Sequence, residues 1–198
     1  MLRIGLTGGI GSGKTLVGKV FSLLNIPIFS ADEQAKKLYR EEYLREELKK
    51  RFGEGLYKNN LLDKQKLANI IFNDRHALNE LNQLVHPLVW EKFNKWCNNY
   101  LQIPYVVHEA AILLESGGKQ RMDKVVYVKA PEKMRLNRIR QRDDLTEQEI
   151  KQRMKYQMNE NEKERLCDHL IVNDDSMLVI PQVIKIHEHL INKSKNMS

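Results

Sequence analysis

Gly8-Gly9-Ile10-Gly11-Ser12-Gly13-Lys14-Thr15 follows a short apolar run, Arg3 to Thr7. It leads into Lys14 to Leu24, where Leu16, Val17, Val20, Leu23 and Leu24 recur at helical spacing. The octapeptide satisfies GxxxxGK[ST], and the flanking strand and helix supply the context that gives the pattern its meaning. Its glycines let the backbone curl until successive N–H groups, at the positive end of the following helix, face one anionic centre. Gly9, Gly11, Ser12, Gly13, Lys14, Thr15 and Leu16 are therefore the candidate contacts to a nucleotide's phosphates. Lys14 brings a mobile charge for the β- and γ-phosphates, and the Thr15 hydroxyl is placed to ligate Mg²⁺.

Downstream of this loop, strand and helix patterns alternate. A second strand is predicted at Ile26 to Phe29, then a charged helix from about Asp32 to Arg51 that Gly53 and Gly55 stop. Asp63 is a plausible N-cap for a helix carrying Leu67, Ile70 and Ile71. A longer helical stretch, about Asp74 to Tyr100, contains Pro87, so a break or kink is expected near His86. Strands are predicted at Tyr105 to Glu109, at Lys124 to Ala130 and at His169 to Val172. Pro131 opens an arginine-bearing helix, Thr146 with Glu149 makes a capping box for another running to about Asn161, and Val179, Val183, Ile184 and Ile191 mark the last. The fold class is α/β, an open parallel sheet flanked by helices. The domain reading is a single P-loop unit over 1–198, with helical insertions at about 31–100 and about 138–162.

The chain has 198 residues, 41% hydrophobic and 30% charged, which excludes collagen-like, low-complexity and wholly disordered classes. Its longest apolar runs, Ala110 to Leu114 and Val125 to Val128, fall far short of the roughly 20 residues a membrane span needs. The N-terminus lacks the continuous apolar core of a secretory signal, and Cys97 and Cys167 form no metal-ligand pattern. A cytoplasmic setting with reduced thiols is expected. The net charge of +7 is unevenly placed. Residues 1–31 hold Arg3, Lys14 and Lys19 without an acid, and residues 131–142 hold Lys133, Arg135, Arg138, Arg140 and Arg142 against Glu132 alone. Both segments are assigned to phosphate handling, so the basicity reads as local.

A P-loop does not name the acceptor. The guanine-reading string Asn-Lys-x-Asp is missing, Asn173-Asp174 being the nearest, and the chain is short for a mechanical ATPase. Arg135, Arg138 and Arg142 recur at three and four residues along one helix face, and with the charged stretch that follows they resemble the mobile lid of nucleoside-phosphate kinases.

The residues resemble one family in particular, the dephospho-CoA kinases, over nearly the whole chain. The blocks that carry the resemblance are Leu6 to Thr15, Ala31-Asp32, His86-Pro87-Leu88-Val89, Ala111-Ile112-Leu113-Leu114-Glu115, Arg138 with Arg142-Asp143, Arg153 with Gln157, and Ile171-Val172-Asn173-Asp174. The resemblance implies transfer of the γ-phosphoryl of ATP to the ribose 3′-hydroxyl of dephospho-CoA, the last step of coenzyme A synthesis. Asp32 then orients the attacking hydroxyl or accepts its proton, although an N-cap of the next helix is the alternative. Arg138, Arg142 and Arg153 are the lid candidates for the charge that develops on the phosphoryl oxygens, against a solvated helix face. His86 stands as an acceptor contact or a structural hydrogen-bonder. Glu109 either holds Mg²⁺ through water or merely ends a strand, and Asn173 is an adenine contact or a turn residue. Lys36 and Tyr39 line the acceptor site or an ordinary helix surface, whereas Trp90, Phe93 and Trp96 read as core. Ser30, Trp90, Ala111 and Asp175 depart from the common family pattern, and Trp90 removes one expected acceptor contact.

Two other readings stand beside this one. The first is a kinase for another nucleoside or nucleotide, which the ordered blocks oppose. The second is an ATP-gated nucleic-acid-binding protein, suggested by net charge alone; it needs a basic groove studded with aromatics, and the aromatic content is 7% without such interleaving. Neither nucleic acid nor membrane is expected as a partner, and oligomeric state is not legible.

Overall fold

Leu2, Ile4 and Leu6 alternate along the first strand, β1 (Leu2–Gly8), and point to one face of a sheet, as the period of two demands. The computed structural model of the chain describes residues 1–142, 150, 154 and 157–196. The chain divides into two compact units, Met1–Ser30 with Cys97–Ser198, and Ala31–Trp96.

In the first unit β1 is joined by β2 (Ile28–Ser30), β5 (Tyr105–Glu109), β6 (Lys124–Lys129) and β7 (His169–Val172). The order is β2-β5-β1-β6-β7, and every pairing is parallel, with Leu6 opposite Glu109 on one side and Val126 on the other. β1 is thus central, and its carboxyl end is where an open α/β sheet presents its ligand crevice. Helix α1 (Lys14–Leu23) and the last helix, α8 (Val179–Lys195), cover one face, burying Val17, Val20, Phe21, Val183, Ile186 and Leu190 against Leu2, Ile4, Leu6 and Val107. Burial of such a contiguous apolar cluster is the main driving term for this unit, at roughly 25 cal/mol per Å² of apolar surface removed from water. Two further helices, α6 (Glu132–Arg142) and α7 (Glu160–Leu166), belong to the same unit.

β2 begins at Ile28, two residues later than expected, because Pro27 has no N–H to give the ladder, although its carbonyl accepts from the Val107 N–H at 2.9 Å. The helix expected to run on to Asn161 does not reach it: residues 157–159 are non-helical, and Asn159 caps α7 by accepting from the Asn161 N–H at 2.9 Å. The Thr146 and Glu149 capping box lies outside the described residues.

The second unit is helical. One charged helix was expected over 32–51, but two are found, α2 (Ala31–Leu38) and α3 (Glu42–Phe52), parted by a turn at 39–41. Leu38 of the first and Leu44 and Leu48 of the second are all buried. Asp63 caps α4 (Lys64–Asn73) as expected, its carboxylate accepting from the Lys66 N–H at 3.0 Å. A hairpin of β3 (Tyr57–Lys58) and β4 (Leu61–Leu62) was not foreseen. Its turn residues, Asn59 and Asn60, have φ 50° and 62°, the left-handed pair that asparagine tolerates and a type I′ turn requires. The break expected near His86 is absent, since α5 (Arg75–Cys97) runs on through Pro87. Val85, Val89, Trp90 and Phe93, buried on both sides of the proline, outweigh the roughly 3 kcal/mol an interior proline costs. Trp90 meets Phe93 edge-on at 5.8 Å, and Phe93 stacks on Trp96 at 6.0 Å, so these rings are core as expected.

Candidate active site

The glycine loop leaves β1 at Gly8 and enters α1 at Lys14, with Gly13 in the cap position. Gly11 and Gly13 take φ 79° and 93°, which only glycine adopts without strain. Gly9 is needed for a different reason: a Cβ there would lie 1.9 Å from Arg135 Nη1. The Ser12 N–H returns to Gly9 O at 3.0 Å and closes the turn. Lys14 is buried, with Nζ donating to Gly8 O at 2.9 Å and to Gly9 O at 3.3 Å, so its charge is held inside the loop where a phosphate would sit. The hydroxyl of Ser12 is also buried and, among the described residues, has no hydrogen-bond partner. Thr15 and Leu16 are exposed at the start of α1, whose first N–H groups have no intrahelical carbonyl to bind.

Thr15 Oγ1 donates to Glu109 Oε1 at 3.1 Å. The partner comes from the carboxyl end of the neighbouring strand β5. A hydroxyl and a carboxylate side by side at the mouth of a phosphate loop are hard oxygen donors. That set fits Mg²⁺, which takes one or two protein oxygens and completes its octahedron with phosphate and water.

The far side of the loop is closed by α6 and by the turn after β7. Arg135, expected on the phosphate-facing stripe, is buried and pairs with Glu160 of α7 at 2.8 Å. Its charge is thus engaged in fixing the loop's roof, so the basic charge of 131–142 is not given to phosphate as a block. Arg138 is half-buried and donates to Asn173 O at 3.3 Å and Asp175 Oδ1 at 3.4 Å. Arg142 lies exposed at the end of α6. Asn173 is buried, and its Nδ2 donates to Ser12 O at 2.8 Å, so that a Cβ on Gly13 would meet it at 2.2 Å. The side chain expected at adenine thus also braces the phosphate loop. Asp175, in the place where glycine was the family norm, has φ 64°, a conformation aspartate tolerates.

Asp32 is exposed in the first turn of α2, two residues beyond Ser30, which ends β2 opposite Glu109. Lys36 pairs with Glu33 at 2.7 Å on the same helix. Burial pushes the Tyr39 hydroxyl up to about 12, and its carbonyl accepts from Tyr57 Oη at 2.9 Å. His86 is half-buried on α5, and burial lowers its pKa, which keeps the ring neutral. Arg153 and Asp143 lie outside the described residues.

Sequence reasoning missed the function of Arg135 and of Gln157, whose Oε1 accepts the Ile10 N–H of the loop at 3.0 Å. Arg135 carried the same spacing signal as Arg138, and only its neighbour Glu160 distinguishes it. Gln157 was visible as part of a family block, without a role.

A five-stranded parallel sheet with this loop at its centre, a buried lysine in the loop and a hydroxyl–carboxylate pair beside it define a P-loop phosphotransferase. The CoaE dephospho-CoA kinase family matches residues 2–178. A dephospho-CoA kinase of Porphyromonas gingivalis is 35% identical over 198 residues, covering 99% of this chain and 98% of its own. A crystal structure from Thermus thermophilus superposes with a TM-score of 0.82 at 28% identity, covering 97% of each chain. A dephospho-CoA kinase from Campylobacter jejuni superposes with a TM-score of 0.70 at 26% identity, covering 96% of this chain and 98% of its own. The chain belongs to the dephospho-CoA kinase family, whose members are ATP-dependent kinases of coenzyme A biosynthesis.

Proposed function

We propose that the chain carries out its family's reaction with the residues described above: the γ-phosphoryl group of ATP passes to the ribose 3′-hydroxyl of dephospho-CoA, giving coenzyme A and ADP. The bond from the γ-phosphorus to the bridging oxygen of ADP breaks, and one from that phosphorus to the 3′-oxygen forms. Lys14 and the first N–H groups of α1 bind the phosphates, and the carboxylate of Asp32 takes the proton of the attacking hydroxyl. Thr15 and Glu109 would hold Mg²⁺, which when bound would neutralise charge on the phosphates. Arg138, Arg142 and Arg153 serve the lid, with 138–162 as that segment, and answer the charge on the transferred group. The unit Ala31–Trp96 is the acceptor-binding insertion, with His86 a neutral contact there. Asn173 braces the loop through Ser12 O and is the adenine contact that the family resemblance implies. No described helix is long and apolar enough to cross a membrane, and the two free thiols, Cys97 and Cys167, suit a reducing cytoplasm.

The observation that carries this reading is the Thr15–Glu109 pair beside the buried Lys14, in a chain that matches its family almost from end to end. A substrate panel tests it. ADP release from ATP should depend on both dephospho-CoA and Mg²⁺; turnover with AMP or adenosine and none with dephospho-CoA would overturn it.

A further inference from the structure

The phosphate loop is tied to a point far along the chain. Gln157 Oε1 accepts the N–H of Ile10 at 3.0 Å. Within the loop the Ser12 N–H is already taken by Gly9 O, and the N–H groups that open α1 are those left for an anion. Ile10 is the first residue inside that turn, the outer limb of the loop, and its N–H is given to a side chain.

Gln157 is itself held. Its own N–H donates to Met154 O at 3.0 Å, and the next N–H, of Met158, donates to Glu115 Oε1 at 2.9 Å. The same Glu115 oxygen takes the ammonium of Lys163 at 2.8 Å, and Lys163 is 1% exposed. Lys163 stands on α7, whose Glu160 anchors Arg135 against Gly9. A buried ion pair of this kind resists displacement, because removing either partner strands a charge away from water. The amide of Gln157 is therefore presented to the loop from a rigid base. A neutral acceptor suits the place, since a carboxylate on a loop that binds phosphates would oppose their charge.

We propose that Gln157 is a positioning residue of the phosphate site: it fixes the outer limb of the loop so that the inner N–H groups stay aimed at the nucleotide, and it does so from the end of the segment read as the lid. The inference rests on the kinase reading above. ADP affinity, steady-state kinetics and the ¹⁵N–¹H signal of Ile10 test it in the full-length protein. Gln157→Met removes the acceptor at nearly constant shape. It should weaken ADP binding and raise KM for ATP by about three- to tenfold, the worth of one hydrogen bond, while KM for dephospho-CoA holds. The Ile10 amide should shift and exchange faster. A Gln157→Met protein with wild-type ADP affinity and an unmoved Ile10 signal overturns the proposal. Should that variant not fold, the unaltered protein decides: without nucleotide, the Ile10 amide must exchange more slowly than in an unstructured peptide, and an unprotected rate overturns the proposal. Absence of turnover with dephospho-CoA would strike the substrate assignment, while ADP binding and the Ile10 amide would still decide the role of Gln157.

Discussion

Thr15 Oγ1 and Glu109 Oε1 lie 3.1 Å apart, although 94 positions separate them in the chain. Parallel pairing of β5 with β1 produces this meeting, because in-register strands end together and Glu109 stands opposite Leu6, two residues before the loop opens. The pair places two hard oxygen donors at the mouth of a loop whose other groups suit an anion.

Glu109→Gln keeps an acceptor for the Thr15 hydroxyl but removes the negative charge. Activity at limiting Mg²⁺ should drop by about tenfold or more, with partial recovery as Mg²⁺ is raised. Initial rates across a Mg²⁺ titration check this, and an unchanged titration curve would assign Glu109 to structure alone.

Asp32→Asn should lower kcat by about 10²-fold or more, the usual contribution of a positioned general base, and leave ADP affinity unaltered. Calorimetric ADP titration beside turnover measurement separates the two effects. Full activity in the variant would leave Asp32 only as the acidic residue that favours the first turn of α2.

Gly11→Ala should be worse than Gly9→Ala. A methyl at Gly9 meets the end of the Arg135 side chain, which can move only by loosening its pair with Glu160, at a cost of about 1–3 kcal/mol. At Gly11 it meets the backbone oxygen of Arg135 at 2.6 Å, and φ is 79° as well, so neither neighbour nor backbone can yield. Thermal melts of the two variants give the ranking; equal melting temperatures would contradict it.

Asp168 provides a pH-dependent term. Burial alone would raise its pKa, but the Lys124 ammonium and the Val125 N–H lower it further than burial lifts it, so the net shift is downward. Between its folded value and the ordinary aspartate value of 3.8 the unfolded chain binds more protons than the folded one, so stability falls as pH falls through that window. The stabilisation is fully present above it. Asp168→Asn should therefore lie below the parent in melting temperature at neutral pH, and the gap should close as pH drops below 3.8 towards the folded value. A gap that stays constant down to the acid limit would show that Lys124 and Val125 do not discriminate the charged form.

How much of this was legible from residues alone can be seen element by element. The strand–loop–helix of Arg3 to Leu24 was read correctly because every constraint in it is local: alternation, glycine conformation and helical spacing act within a few residues. The Asp63 cap was read for the same reason. The Asn59-Asn60 hairpin carried a signal, two residues that accept positive φ, but its strands are two residues each and too short to show alternation. Pro87 does not break α5, because propensity is a weak prior that buried neighbours override. Arg135 was indistinguishable from Arg138 by spacing, and their different fates were decided by Glu160 in one case and by Asn173 and Asp175 in the other.

By itself, the sequence determined that the chain builds a nucleotide-phosphate loop on a parallel sheet, which residues of that loop carry the charge and the hydroxyl, and which family it resembles. The tertiary structure alone decided which distant groups complete the loop: Glu109 beside Thr15, Arg135 over Gly9, Asn173 on Ser12 and Gln157 on Ile10. The reason is physical. Loop conformation follows from short-range sterics, whereas its partners are brought in by a strand order of β2-β5-β1-β6-β7, in which strands adjacent in space are far apart in the chain.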